Sequence, residues 1–475
     1  MKKKWVGQIA VVAGCLMLAG CAKEEKKPET VNITVWHYYN GQQQEAFNQL
    51  VEEFNETTGK ENHIVVEAAS EGNVDDLEKN VLEALEGKAG AKEAPNIFAA
   101  YTDTAYAANE KGMLVDVSKY LSKEEQEEYV EAYIQEGDLD QDGGIKLFPT
   151  AKATEVLMLN KTDWDKFAEA TGADIGTLST IEGVTRTAQA YYEWTDSLTE
   201  TQGDGKAFFG RDAVANYILS GAAQLGQEVI SVEDGNAVLN FDQNTVRKLW
   251  DNYYIPFVKG YFAADGKFRS DDIKTGNLVA MVGSTAGATF FPQEVILDDD
   301  TTYPIETEIL VCPQFEGAQP YIVQQGAGMA VIKKSEEEIK ASVEFLKWFT
   351  EADRNLEFAA LSGYLPVKKS VEKLADKNLS DSTDMTKQII QTGLDEVQSN
   401  TLYTMPPFEN ATDLRSVLEY SMSDQAVADR AAVKASMEAG TGFEEAAAPY
   451  LTDEYFQVWY NQTKAKLEEK INEQK

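Results

Sequence analysis

The chain has 475 residues, with 80 Asp plus Glu against 43 Lys plus Arg, two His and a formal charge of −37. At roughly 150 residues per domain, this length predicts two to three domains, and 43% apolar and 26% charged residues are ordinary globular usage rather than that of a disordered or fibrous chain. The acid excess argues against a nucleic-acid partner, which needs a basic footprint, and against docking on anionic lipid through a charged face.

Met1-Lys2-Lys3-Lys4 is a basic start, and Trp5 to Leu18 is an uncharged, largely apolar run. It is too short to span a bilayer and has the pattern of a signal peptide. It ends in Leu18-Ala19-Gly20-Cys21, which resembles the bacterial lipobox, whose Cys is lipidated and becomes the first residue of the mature chain. Cleavage would remove residues 1–20, including three Lys and no acid, and take the charge to about −40. Cys15 leaves with the signal and Cys21 carries the lipid. Cys312 is then alone, so no internal disulfide is expected. Residues 21–30 read as a polar, lipid-anchored linker. Acyl chains, at about 0.8 kcal/mol per buried methylene, would hold the exported body at the extracellular face of the cell membrane. No later apolar run reaches roughly 18 residues, so no second membrane segment is predicted.

Val31 to Trp36 alternates and predicts a strand. Phe47, Leu50, Val51 and Phe54 follow at helical spacing, and Thr57-Thr58-Gly59 stops that helix. His63 to Ala68 predicts a second strand, Val74 to Leu85 a helix, and Pro95 to Tyr101 a third strand. This β-α-β-α-β order predicts an α/β fold with mostly parallel sheets flanked by helices. The alternation recurs. Strands are predicted at Glu155 to Leu159, Ala207 to Gly210, Leu278 to Val282 and Met329 to Ile332, and helices after Asp163, from Ala215 to Leu225, and through Ile339, Val343, Leu346 and Phe349. The remainder is mostly helical and ends with Phe456, Trp459, Tyr460 and Leu467 on one face.

Three stretches in this order resemble the carbohydrate-importer type of extracellular solute-binding protein. They are Ile33-Thr34-Val35-Trp36 with Gly41 and Phe54-Asn55; Pro95-Asn96-Ile97 with Gly112 to Asp116; and Gly328 to Ile332 with Phe349 and Ser362-Gly363-Tyr364-Leu365-Pro366. The resemblance covers about residues 31 to 460. It implies a two-lobed, type II periplasmic-binding-protein fold hinged at crossing segments, a ligand in the cleft, and delivery to membrane permease subunits of an ABC importer. The implied division is 1–20 signal peptide, 21–30 linker, 31–152 first lobe, 153–325 second lobe, 326–355 return to the first lobe and 356–475 helical completion of the second. A monomer is expected.

In such sheets, ligands sit beyond the carboxyl ends of the strands. The candidates there are Tyr38, Tyr39 and Asn40 after the first strand and Ser70 and Glu71 after the second. Aromatic rings suit the apolar faces of a sugar and planar polar groups its hydroxyl edges. Packing or a solvated loop would explain the same residues. Asp103, past the third strand, matches an acid that accepts sugar hydroxyls in maltose-type binders, or caps the following helix. Lys152, Thr154 and Glu155 sit where the chain should cross between lobes, with Lys152 and Glu155 as a possible structural pair. Asp212, Asn216, Ser284 and Thr285 occupy loops of the second lobe. Tyr364 lies in the Gly-Tyr-Leu-Pro stretch, and Arg415 in a segment that closes over ligand in this family.

Asp138, Asp140 and Asp142, with Gly143 and Ile145, resemble the start of a calcium loop, but position 12 is Pro149 instead of Glu, and an acidic turn is the competing account. No other cofactor is indicated. Two His cannot build a His-rich metal centre, and the motifs of P-loops, serine hydrolases and zinc proteases are absent. The expected function is reversible carbohydrate binding without chemistry. Glycerol phosphate or a polyol is the alternative ligand of the same importer class. An exported lipoprotein glycosidase, with an acid pair that leaves no local signature, is the alternative of a different class.

Overall fold

The computed structural model describes residues 29–233, 236–297, 301–371 and 383–473. The signal segment, Cys21 and nearly all of the linker lie outside the described residues. Eight strands build two four-stranded sheets: β1 (Val31–His37), β2 (Ile64–Ser70), β3 (Ile97–Ala100), β4 (Glu155–Asn160), β5 (Phe209–Arg211), β6 (Ala280–Ser284), β7 (Thr307–Val311) and β8 (Gly328–Val331).

The first sheet has the order β8-β3-β1-β2. β1 pairs in parallel with β2, from Val31 opposite Ile64 to His37 opposite Ser70, and in parallel with β3. β8 closes the other edge antiparallel, with Gly328 opposite Ala100. The helix Gly41–Glu56 lays Phe47, Leu50, Val51 and Phe54 against this sheet, as the spacing predicts. The helix Val74–Leu85 starts at its predicted residue because Asn73 and Asp76 form a reciprocal capping box.

The second sheet has the order β7-β4-β6-β5. It departs from the parallel expectation: β4 runs antiparallel to both β7 and β6, and only β5 with β6 is parallel. The cause is the route of the chain. β4 enters this sheet directly from a crossing segment, with no helix before it to reverse its course, and local periodicity reports element type but not direction. The sheets are therefore mixed and flanked by helices. Each has its own apolar core, with Phe47, Phe98, Phe148 and Leu346 in the first and Phe167, Tyr217, Leu249 and Trp250 in the second.

Three segments cross side by side between the sheets. Lys152 N–H donates to Leu365 O at 3.0 Å, and Ala153 and Gln325 exchange backbone bonds at 2.8 and 2.9 Å. Gly326 has φ +90°, and a Cβ there would stand 2.8 Å from Ala151 O, so glycine allows the close approach. The side chain of Lys152 is fully buried among these segments. Its Nζ donates to the Glu136 carboxylate and, at 2.6 Å, to Gly326 O. The return of the chain to the first core runs past residue 355, since Phe358, Tyr364 and Val367 pack there.

The helix Asp384–Ser399 packs on β7 and buries Glu396. That carboxylate accepts from Cys312 N–H at 2.5 Å and Asn400 Nδ2 at 2.8 Å, yet burial pushes its pKa from 4.5 up to about 7. The folded chain thus keeps a proton that the unfolded chain releases above about pH 4.5. The resulting penalty is absent below that pH, grows as pH rises and is complete above pH 7. At about 1.4 kcal/mol per pH unit, Glu396 alone should lower stability by about 3 kcal/mol between pH 4.5 and 8. Urea unfolding at both pH values checks this, and Glu396→Gln should flatten that part of the profile.

Candidate functional site

The ends of β1, β5 and β6 and the crossing segments open onto one cavity of about 1170 Å³. Asn40 and Gln43 line it from the first half of the molecule. Glu155, Asp212, Phe268, Ser284 and Phe290 line it from the second, and Gln325 from a crossing segment. Gln43 Nε2 spans the halves, donating to Ala286 O at 3.4 Å and Ser362 O at 3.3 Å.

Phe268 and Phe290 are 52% and 61% exposed, unusual for rings in an otherwise well-buried aromatic set. Local sequence explains both. Phe268 precedes the short helix Arg269–Lys274 in an extended conformation, with its N–H donating to Asp271 Oδ2 at 3.1 Å. In Phe290-Phe291-Pro292, Phe291 takes the core position and its neighbour Phe290 is left in the cavity wall.

A polar chain runs inward from the cavity floor. Arg211 pairs with Glu155, and Asn216 Nδ2 donates to Glu155 at 2.9 Å and to Gln325 Oε1 at 3.2 Å. Arg415 Nη2 donates to Asn216 Oδ1 at 2.5 Å. Asp212 Oδ1 accepts from Arg269 N–H at 2.9 Å, while burial raises the Asp212 pKa above the usual carboxylate value. These bonds fix the floor before any ligand arrives.

Of the candidates named from sequence, Asn40, Glu155, Asp212 and Ser284 line the cavity. The others are engaged elsewhere. Tyr39 is buried among His37, Phe47 and Phe358. Tyr38 and Tyr364 share a hydroxyl hydrogen bond of 3.1 Å. Ser70 donates to Tyr39 O at 3.0 Å, and Glu71 is held by Lys92 and Asn80. Asp103 accepts from Thr104 N–H at 2.8 Å and from the Thr412 hydroxyl, tying the first half to the helix Ala411–Glu438. Lys152 and Glu155 do not pair with each other; their partners are Glu136 and Arg211. Thr154 donates to Val323 O at 2.8 Å, and the side chain of Thr285 is buried. Asn216 and Arg415 stand behind Glu155 rather than in the lining.

The aspartate loop is a turn. Asp138 accepts from the N–H groups of Asp142 and Gly143, both at 3.0 Å, and Asp142 from Gly144 N–H at 2.9 Å. Asp140 is taken by Asn109 and Lys146. Among the described residues, no group of three or more His, Cys, Asp and Glu is placed to hold a metal ion, and these three carboxylates are taken by backbone N–H groups, Asn109 and Lys146. The sequence reading missed Gln43, Phe268, Phe290 and Gln325. The doubled Phe before Pro292 was the one local signal: of the two rings, Phe291 is buried and Phe290 is left exposed.

The family profile described as bacterial extracellular solute-binding protein matches residues 49–387. Among solved structures, the cyclic α-maltosyl-1,6-maltose binding protein of Arthrobacter globiformis superposes with a TM-score of 0.67 at 17% identity, covering 93% of this chain and 99% of that one. UgpB from Mycobacterium tuberculosis, in complex with glycerophosphocholine, gives 0.65 at 17% identity and 93% and 100% coverage. The maltotriose binding protein of Thermus thermophilus, with maltotriose bound, gives 0.61 at 16% identity and 92% and 100% coverage. A search of curated protein sequences finds no significant match.

Proposed function

Because the chain belongs to the bacterial extracellular solute-binding protein family, whose members are non-catalytic components of transport, we propose that it captures a carbohydrate in the cleft between its halves. It then hands the sugar to the permease of an ABC importer. The observation that carries this reading is the pair of exposed rings, Phe268 and Phe290, in a cavity whose remaining lining includes Asn40, Ser270, Ser284 and Gln293. Rings cover the apolar faces of a sugar, and polar side chains take its hydroxyls. The structural likeness to proteins for maltotriose and cyclic maltosyl-maltose supports it. Ligand bridging both halves would favour closure through contacts that exist only in the closed state. Family membership removes the glycosidase alternative. We assign residues 31–152 and 326–367 to the first lobe and the remaining body to the second.

A thermal-shift panel of sugars, polyols and sugar phosphates tests this reading. A binding sugar should raise the melting temperature progressively as its concentration passes the dissociation constant. A response to peptides or metals and to no sugar would overturn it. Glycerol phosphate or its diesters form the second reading, favoured by the likeness to the glycerophosphocholine complex. The lining argues against it, since Lys274 stands there with four carboxylates, Glu155, Asp212, Asp271 and Glu294. Calorimetry showing glycerol phosphate ahead of neutral sugars would reverse that order.

No described helix is long and apolar enough to cross a membrane. Lipidation of Cys21 would supply the attachment. Cys21→Ser removes the acceptor thiol, and the polar residues Ala22 to Thr30 offer no apolar substitute. Properly cleaved Cys21→Ser protein should leave the membrane fraction, whereas the parent should partition into detergent. Retention of the cleaved variant after a high-salt wash would contradict the anchor.

A further inference from the structure

We propose, resting on the sugar reading of this cleft, that the preferred ligand carries a protonated amine: an amino sugar or a short chain of amino sugars. The charge of the wall and its exposed rings both favour a cation. Glu155 is neutralised by Arg211 in a buried pair. Asp212 is not matched in this way, because one guanidinium serves two acids. Arg269 Nη1 lies 3.3 Å from Asp272 and its Nε 3.8 Å from Asp212. Asp212 Oδ1 accepts the Arg269 N–H, and Oδ2 has no hydrogen-bond partner among the described residues. Among the described residues, Asp271 is exposed and bound only to a backbone N–H, and Glu294 is exposed without an ion pair. Among the described residues, Lys274 is the sole ammonium in the lining, so the wall they form stays negative after every internal pair is formed.

A neutral sugar can donate hydroxyls to these carboxylates but leaves their charge uncompensated. An ammonium group donates as many hydrogen bonds and cancels charge in a partly desolvated space, where charge-assisted bonds are stronger than neutral ones. The faces of Phe268 and Phe290, open in the same wall, attract a cation through the ring quadrupole. Lys274, one helical turn from Asp271, would sit beside hydroxyls of the ligand. An acidic sugar meets repulsion from the same wall.

Calorimetry at pH 5.5 with three β-1,4 disaccharides tests this: the glucosamine disaccharide, its N,N′-diacetyl form and cellobiose, with maltotriose as a further neutral probe. The glucosamine disaccharide should bind about tenfold or more tightly than every neutral probe. Asp212→Asn and Glu294→Gln should each shrink that ratio, and Glu294 is exposed enough for its variant to fold. A neutral probe binding as tightly as the amine would overturn the inference and leave the sugar reading standing. A ratio untouched by both variants would trace the preference to the overall charge and overturn it as well. If no probe binds at all, this inference falls, and the sugar reading is decided by the thermal-shift panel.

Discussion

Replacing Phe290 by Ala is expected to weaken carbohydrate binding about tenfold or more while leaving stability within about 0.5 kcal/mol. The ring is 61% exposed, so the unliganded fold gains little from it, and exposed substitutions of this kind are close to neutral. A sugar face laid on the ring would bury much of it, and losing a stacked aromatic contact costs about 1–2 kcal/mol. Each 1.4 kcal/mol is tenfold in affinity. Phe268→Ala should behave alike. The double variant should lose roughly a hundredfold if the rings contact separate faces or units and thus act independently. Calorimetry with a sugar that binds the parent chain, together with urea unfolding, separates the two effects. Unchanged affinity in both single variants would remove the rings from the site.

Lys152→Met should cost about 3–5 kcal/mol of stability. Its ammonium is fully buried between the Glu136 carboxylate, whose side chain is 8% exposed, and Gly326 O. Methionine keeps most of the volume but leaves Glu136 charged and unpaired among the crossing segments. Breaking a buried pair from one side carries that cost, whereas removing both charges is far milder. The double variant Lys152→Met/Glu136→Gln should therefore recover most of the loss in urea unfolding. A single-variant loss below about 1 kcal/mol would mean that this pair does not hold the crossing segments together. The result also separates structure from binding: Lys152 serves the joint between the lobes, and its sequence position there had equally suggested ligand contact.

The division between what was legible and what was not follows the range of the interactions. β1 and the helix Val74–Leu85 were readable because their signals are local: alternation in one, helical spacing plus an Asn73–Asp76 cap in the other. The direction of β4 was not, because it depends on pairing with β6 and β7, strands more than a hundred positions away. The same limit governs the site. The ends of β1, β5 and β6 meet at one cavity, which Asn40, Asp212 and Ser284 line. Within a loop, however, the inward and outward residues are chosen by distant partners. Tyr39 turns into a core completed by Phe358, Tyr38 finds Tyr364, and Asp103 finds Thr412. Glu155 and Lys152, three residues apart, pair with Arg211 and Glu136 because they face different cores. Phe268 lies outside the post-strand loops, and Phe290 ends the 3-10 turn after β6, five residues beyond Thr285; exposure of a ring is a property of the assembled wall.

Native mass spectrometry of the chain mixed with an oligosaccharide library tests the central claim most directly. The account predicts one adduct per chain, with the mass of an intact sugar, that disappears in the Phe268→Ala/Phe290→Ala variant. No adduct, shortened sugars, or an adduct of equal strength in the double variant would contradict capture of a carbohydrate in this cleft.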